Sequence, residues 1–139
     1  WRIAKTVFVA DNLEKAKEYA LGPRSPYVFY FKQLFKKFVA LGKLDLFKKS
    51  IDQPDSEVTL EQVCKDLIIW GTPDKVIDEL SKFREDVGNF GTLMYAGVDW
   101  LDPKLARKSM ILTAEKVNPF LWFIRIKIWL YPTKNKMEE

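Results

Sequence analysis

Few side chains in this 139-residue sequence can do chemistry by themselves. There is no histidine, which excludes a Ser-His or Cys-His nucleophile pair and a histidine-ligated metal within the chain. The commonest general base is missing for the same reason. Cys64 is the sole cysteine, so an internal disulfide and a cysteine-based metal site are excluded too. No glycine-rich turn of the dinucleotide or P-loop type follows any strand-like run, which argues against a complete small nucleotide-binding domain. What remains is largely backbone chemistry. The amides after Gly71-Thr72 open a helix, and such a terminus can bind a phosphate anion. The same residues are also simply a strong helix start, with Thr72 as cap and Pro73 in the first position. Asp74 suits the positive end of the helix dipole and would repel an anion.

The elements that must carry these groups read as alternating strands and helices. Arg2 to Ala10 is a strand, rich in β-branched and aromatic residues. Asp11 then begins a helix, with Glu14 three residues on completing a capping box. Leu13, Ala16, Ala20 and Leu21 form its inner face, and Gly22-Pro23 stops it. Ser25-Pro26 opens a second helix, on which Tyr27, Phe31, Leu34, Phe35 and Phe38 make an aromatic stripe suited to core packing. Gly42 ends that helix, and Leu44 to Ile51 allows one more short helix. Thr59 with Gln62 is a second capping box, and Leu67 to Trp70 is a short buried strand or a helix end. The helix after Gly71 carries Val76, Ile77, Leu80, Phe83 and Val87 on one side and finishes at Gly88. Phe90 to Gly97 is a third strand, apolar as a strand covered on both faces should be. Asp102-Pro103 starts a helix expected to run to about Val117 and to stop before Pro119. Three β-α steps in one order imply a parallel sheet with right-handed crossovers, and the pattern alone does not choose between an open sheet and a barrel.

Composition fits a soluble globular domain with a sizeable core. At 47% hydrophobic and 14% aromatic there is ample apolar surface to offset chain entropy, so a folded rather than a disordered chain is expected. The +4 net charge arises from 23 basic and 19 acidic side chains spread along the chain. Lys32, Lys36, Lys37, Lys43, Lys48 and Lys49 form the only dense basic stretch, read as a solvated helix face rather than a nucleic-acid surface. Phe120 to Tyr131 is almost wholly apolar but too short to cross a bilayer as a helix. Alternation of Ile124, Ile126 and Ile128 with Arg125 and Lys127 allows a strand there, and an amphipathic membrane-surface segment is the other reading. The charged tail from Lys134 is expected to fray. Trp1 lies inside a strand-like run, so we expect the natural protein to extend further toward its N-terminus. No signal peptide is visible and a cytoplasmic location is expected.

The sequence resembles the later half of the luciferase-like, flavin-dependent monooxygenases. Four blocks in the family's order carry the resemblance: Trp1 to Asp11 with the helix ending Ala20-Leu21-Gly22-Pro23; Ile69-Trp70-Gly71-Thr72-Pro73-Asp74-Lys75-Val76-Ile77; Phe90-Gly91-Thr92-Leu93 leading to Asp99-Trp100; and Ser109-Met110 with Glu115-Lys116-Val117-Asn118-Pro119. Asn118 stands where the family commonly has methionine. The match spans residues 1–121, leaving 122–139 as a divergent tail, apolar and then charged.

The resemblance implies an α/β fold, the C-terminal portion of a (β/α)8 TIM-type barrel with about three of its parallel strands. It implies reduced FMN, or in some relatives a deazaflavin, with O2 and an organic substrate as reactants. The missing N-terminal barrel portion would be a partner, any histidine used in chemistry would lie there, and relatives are often dimers. The active site of such barrels lies at the C-terminal ends of the strands. The candidates there are Gly71 and Thr72 for the flavin phosphate, Gly97 for close approach of a ring, and Tyr95 and Trp100 as pocket walls. By itself the piece is expected to be inactive. A competing reading is a stand-alone interaction module, with the Phe31/Phe35/Phe38 stripe or the 120–131 segment as an exposed partner surface.

Overall fold

The run from Arg2 packs on both its faces. Val7 and Val9 point to one side and Phe8 and Ala10 to the other, all at most 5% exposed. A strand buried this way must lie inside a sheet whose two faces are covered, which explains its lack of polar alternation. The computed structural model describes residues 2–88, 90–98, 101–123 and 127–129. Its elements are β1 (Arg2–Val9), α1 (Leu13–Leu21), α2 (Pro26–Ala40), α3 (Leu60–Leu67), β2 (Ile68–Gly71), α4 (Pro73–Val87) and β3 (Thr92–Ala96). They are followed by α5 (Pro103–Leu112), a wide π-helical stretch (Thr113–Val117), α6 (Asn118–Phe123) and β4 (Lys127–Trp129).

The expected parallel strands with intervening helices are present. The strands pair in parallel in the order β2-β1-β3-β4, so β1 lies between β2 and β3, and β2 and β4 form the edges. The chain first moves from β1 to one neighbour and then back across β1 to the other. Right-handed crossovers in opposite directions put helices on opposite faces. One core accordingly gathers Val7, Val9, Ile69 and Leu93 under Val76 and Leu80 of α4, Leu112 of α5, Val117 and Leu121. The other gathers Phe8, Ala10 and Ile68 under Ala16, Tyr19 and Ala20 of α1, Tyr27 and Phe31 of α2, and Val63 and Cys64 of α3.

Local chemistry explains where expectation and structure part. The first helix is capped by Asn12, whose Oδ1 accepts the Lys15 N–H at 3.1 Å, and not by Asp11, which pairs with Lys108. Leu13, expected inside, is 43% exposed, whereas Tyr19, not among the expected inner residues, is buried beside Ala16 and Ala20. Ser25 caps α2 as expected, accepting the N–H groups of Tyr27 and Val28. The aromatic stripe faces inward: Phe31 is buried, and Phe35 and Phe38 pack on Phe47 at ring distances of 6.0 and 5.3 Å. Leu44–Phe47 forms only a short 3₁₀ turn. Thr59 caps α3, but the second half of its box is absent, because the Gln62 amide turns to Phe47 O and Gln53 and pins the preceding loop.

Two further expectations change. Strand β3 is covered on one face only, since Met94 and Ala96 are exposed and the α1–α3 layer sits over β1 and β2. The last helix does not stop at Pro119. The wide turn Thr113–Val117 lets α6 start afresh at Asn118, with Pro119 in its first turn, where a missing N–H costs little. Within the 120–131 segment Lys127–Trp129 is a strand, while Ile124 and Ile126 lie outside the described residues. Among the described residues no helix is long and apolar enough to cross a membrane.

Candidate functional site

In an open parallel sheet, ligands meet the carboxyl ends of the strands where the chain reverses its direction of winding. Here that point lies between β1 and β3. Their pairing stops at Thr6 against Ala96, whereas β1 continues beside β2 to Val9 against Gly71, and further through Ala10 N–H to Gly71 O at 3.0 Å. Beyond Thr6 the β3 side of β1 has lost its strand partner, and its backbone groups need others.

Two helices supply them from opposite faces. From α5, the fully buried Ser109 accepts the Val9 N–H on Oγ at 2.8 Å. Its Oγ also lies 3.0 Å from Tyr95 Oη. From α2, the Tyr27 hydroxyl reaches toward Val7 O at 3.5 Å and interacts with Tyr95. Tyr19 donates to Val98 O at 3.5 Å. The rings below these hydroxyls stack: Phe8 on Tyr19 with centroids 4.5 Å apart, and each against Tyr27 at 6.0 Å. Burial pushes the Tyr95 phenol up to about 12, against the opposing effect of hydrogen bonds from Ser109 and Tyr27. Burial, and then the neighbouring Tyr95, push Tyr27 well above the ordinary tyrosine range. Both hydroxyls therefore stay protonated through neutral pH and act as hydrogen-bonding groups, not as bases.

The candidate residues fall in two places. Tyr95 and Gly97 come together: a Cβ at Gly97 would stand 2.6 Å from Tyr95 Cε1, so the ring that approaches Gly97 is that of Tyr95. Gly71 and Thr72 end β2 on the far side of β1. Register sets Ala96 level with Thr6 and Gly71 level with Val9, a step of about 10 Å along the strands. Trp100 lies outside the described residues.

Thr72 starts α4 but makes no side-chain capping bond. Its carbonyl accepts the Val76 N–H at 3.0 Å, and Pro73 has no N–H to offer. Gly71 adopts φ +154, and the Lys75 side chain folds back across it. Among the described residues no group of acids and cysteines is arranged to hold a metal ion. Ser109 and Tyr27 were not among the candidates. A serine between Ala106 and Leu112 on an inward helix face was the available signal for the first, whereas Tyr27 was hidden in a stripe that packs as aromatics usually do.

No family model matches the chain. It is 27% identical over 120 residues to 3,6-diketocamphane 1,6-monooxygenase of Pseudomonas putida, a match that covers 84% of this chain and 31% of that protein. Its fold is similar to the oxygenating constituent of 3,6-diketocamphane monooxygenase from the CAM plasmid of the same organism, a type II Baeyer-Villiger monooxygenase solved in complex with FMN. That match has a TM-score of 0.71 and 26% identity, over 85% of this chain and 33% of the other. The chain thus spans about a third of the length of the proteins it matches. Over most of its length it is similar to these two monooxygenases, one of them solved with FMN, in line with the resemblance to the luciferase-like, flavin-dependent family.

Proposed function

We propose that this chain serves as part of a flavin-dependent monooxygenase that uses reduced FMN and O2 to oxygenate an organic substrate. The supporting observation is the 0.71 TM-score, at 26% identity over 85% of the chain, with an enzyme solved with FMN. A ketone is the substrate class we infer, because both relatives are named for a diketone and one as a Baeyer-Villiger enzyme.

The residues present fit one end of a flavin and not the whole of it. At α4 the side chain of Thr72 leaves the first-turn amides uncapped, and Gly71 adds no Cβ at the strand end. These two residues would hold the phosphate, with Asp74 opposing its charge. Gly97 does not admit a flavin ring in this arrangement, since the Tyr95 ring lies against it. When bound, the reduced flavin supplies the electrons that activate oxygen. The part of this chain is to position: Ser109 and Tyr27 hold Tyr95 at the strand ends. The remaining barrel portion would supply the rest of the cradle.

Fluorescence titration of FMN against the whole protein, with the 139-residue chain beside it, tests the reading. Saturable binding by the whole protein, weakened about tenfold or more by Thr72→Glu, supports it. A whole protein that binds neither FMN nor a deazaflavin overturns it.

A further inference from the structure

Helix α2 and its flanks concentrate the positive charge of the chain. Between Arg24 and Lys43 stand five of the 23 basic side chains and none of the 19 acidic ones, more than the whole net charge of +4. Tyr27 and Phe31 turn one side of the helix into the second core. At about 3.6 residues per turn the opposite side carries Phe29, Gln33, Lys36 and Lys37, with Lys32 beside them. All five are exposed. Lys48 and Lys49, in the loop that follows, are engaged by Asp45, Asp55 and Asp66. No ion pair among the described residues takes Lys32, Lys36, Lys37 or Lys43.

The same surface is apolar as well as basic. Phe29 is 58% exposed, and Tyr30 is exposed next to it. Gly42, at φ +62, turns the chain so that Phe47 packs back on Phe35 and Phe38. Leu41 and Leu46 are left exposed at the C-terminal end of the helix. A face meant only for water gains nothing from such a cluster.

We propose that the outer face of α2, continued by Leu41, Lys43 and Leu46, docks on an anionic lipid surface. Phe29, Leu41 and Leu46 would enter the headgroup boundary, and the lysines would reach lipid phosphates on their flexible stems. A second copy of this chain does not suit the face, because like charges would meet. Protein interfaces favour arginine and are poor in lysine, whereas every cation on this helix is a lysine. The face also differs from the sheet edges. In a barrel the far side of a helix packed on the strands faces solvent, so strands added at the edges would not cover it. The inference does not rest on the flavin reading.

Co-sedimentation of the whole protein with vesicles tests this, using one part phosphatidylglycerol to three parts phosphatidylcholine beside phosphatidylcholine alone. Binding is expected to the anionic vesicles only, and to weaken as salt rises. Lys36→Glu with Lys37→Glu should weaken it about tenfold or more. Lys82→Glu with Lys104→Glu makes the same charge change at exposed lysines of α4 and α5 and should weaken it about twofold. Phe29→Ser with Leu46→Ser leaves the charge unchanged and should weaken it about fivefold. FMN binding, measured on the same variants, should stay at the parent's level, so failure of either reading shows separately. No binding to anionic vesicles overturns the proposal, as does an equal loss from the two charge-reversal pairs. Parent-like binding by Phe29→Ser with Leu46→Ser overturns it too, and so does binding to duplex DNA or an acidic protein in place of the vesicles. If Lys36→Glu with Lys37→Glu fails to fold, Lys32→Gln with Lys36→Gln decides, and parent-like binding by that pair also overturns it.

Discussion

The hydroxyl of Ser109 accepts the backbone N–H of Val9 at 2.8 Å, from a helix 100 residues further along the chain. It does for β1 what β3 does up to Thr6. Removing this acceptor by Ser109→Ala leaves a buried N–H without its partner, at a cost of about 1–3 kcal/mol. Urea denaturation should show a lower midpoint with an unchanged slope. A midpoint equal to the parent's would mean that the Val9 N–H finds another acceptor.

Gly97 and Tyr95 should be coupled. A methyl at position 97 would meet the Tyr95 ring at 2.6 Å, and that ring is tied to Ser109. Gly97→Ala is expected to cost about 1–2 kcal/mol in the parent and little in a Tyr95→Leu background. Thermal unfolding of the two single variants and the double variant measures the difference. Strict additivity would show that the ring moves aside freely.

Alkaline pH should unfold the protein through its tyrosines. An unfolded tyrosine ionises near 10, while burial holds Tyr95 up to about 12 and Tyr27 higher still. Between these values the unfolded state has lost protons that the folded state keeps, so stability falls as pH rises. The contribution is complete below pH 10 and is lost as pH climbs through about 12. Melting temperatures measured upward from pH 9 should drop, and drop less steeply in Tyr95→Phe.

Cys64 should be inert while the chain is folded. It is 4% exposed, and burial pushes its thiol up to about 11. The reactive thiolate is therefore scarce at neutral pH. A maleimide is expected to label it slowly in buffer and rapidly in denaturant; equal rates would contradict its burial.

Phe8 anchors the second core, fully buried and stacked 4.5 Å from Tyr19. Phe8→Ala is expected to cost about 3–5 kcal/mol. A smaller loss in chemical denaturation would indicate that the Tyr19 and Tyr27 rings collapse into the space.

The local grammar of the chain was set by its residues. β-branched runs made β1 and β2, Ser25 and Asp102 placed helix starts at their prolines, and Gly88 ended α4, because capping and strand propensity depend on near neighbours. Even the exclusions of histidine and cysteine chemistry needed only the composition. Strand order needed the folded structure, because any order of three parallel strands satisfies the same apolar pattern. Only the folded structure gave Ser109 to Val9, Tyr27 to the gap at the end of β3, and Lys75 to the carbonyl of Trp70. Those partners join separate elements, and the first two lie 100 and 20 residues apart in sequence. Backbone groups exposed by the strand order set the demand for them, and that order arises only when the helices pack.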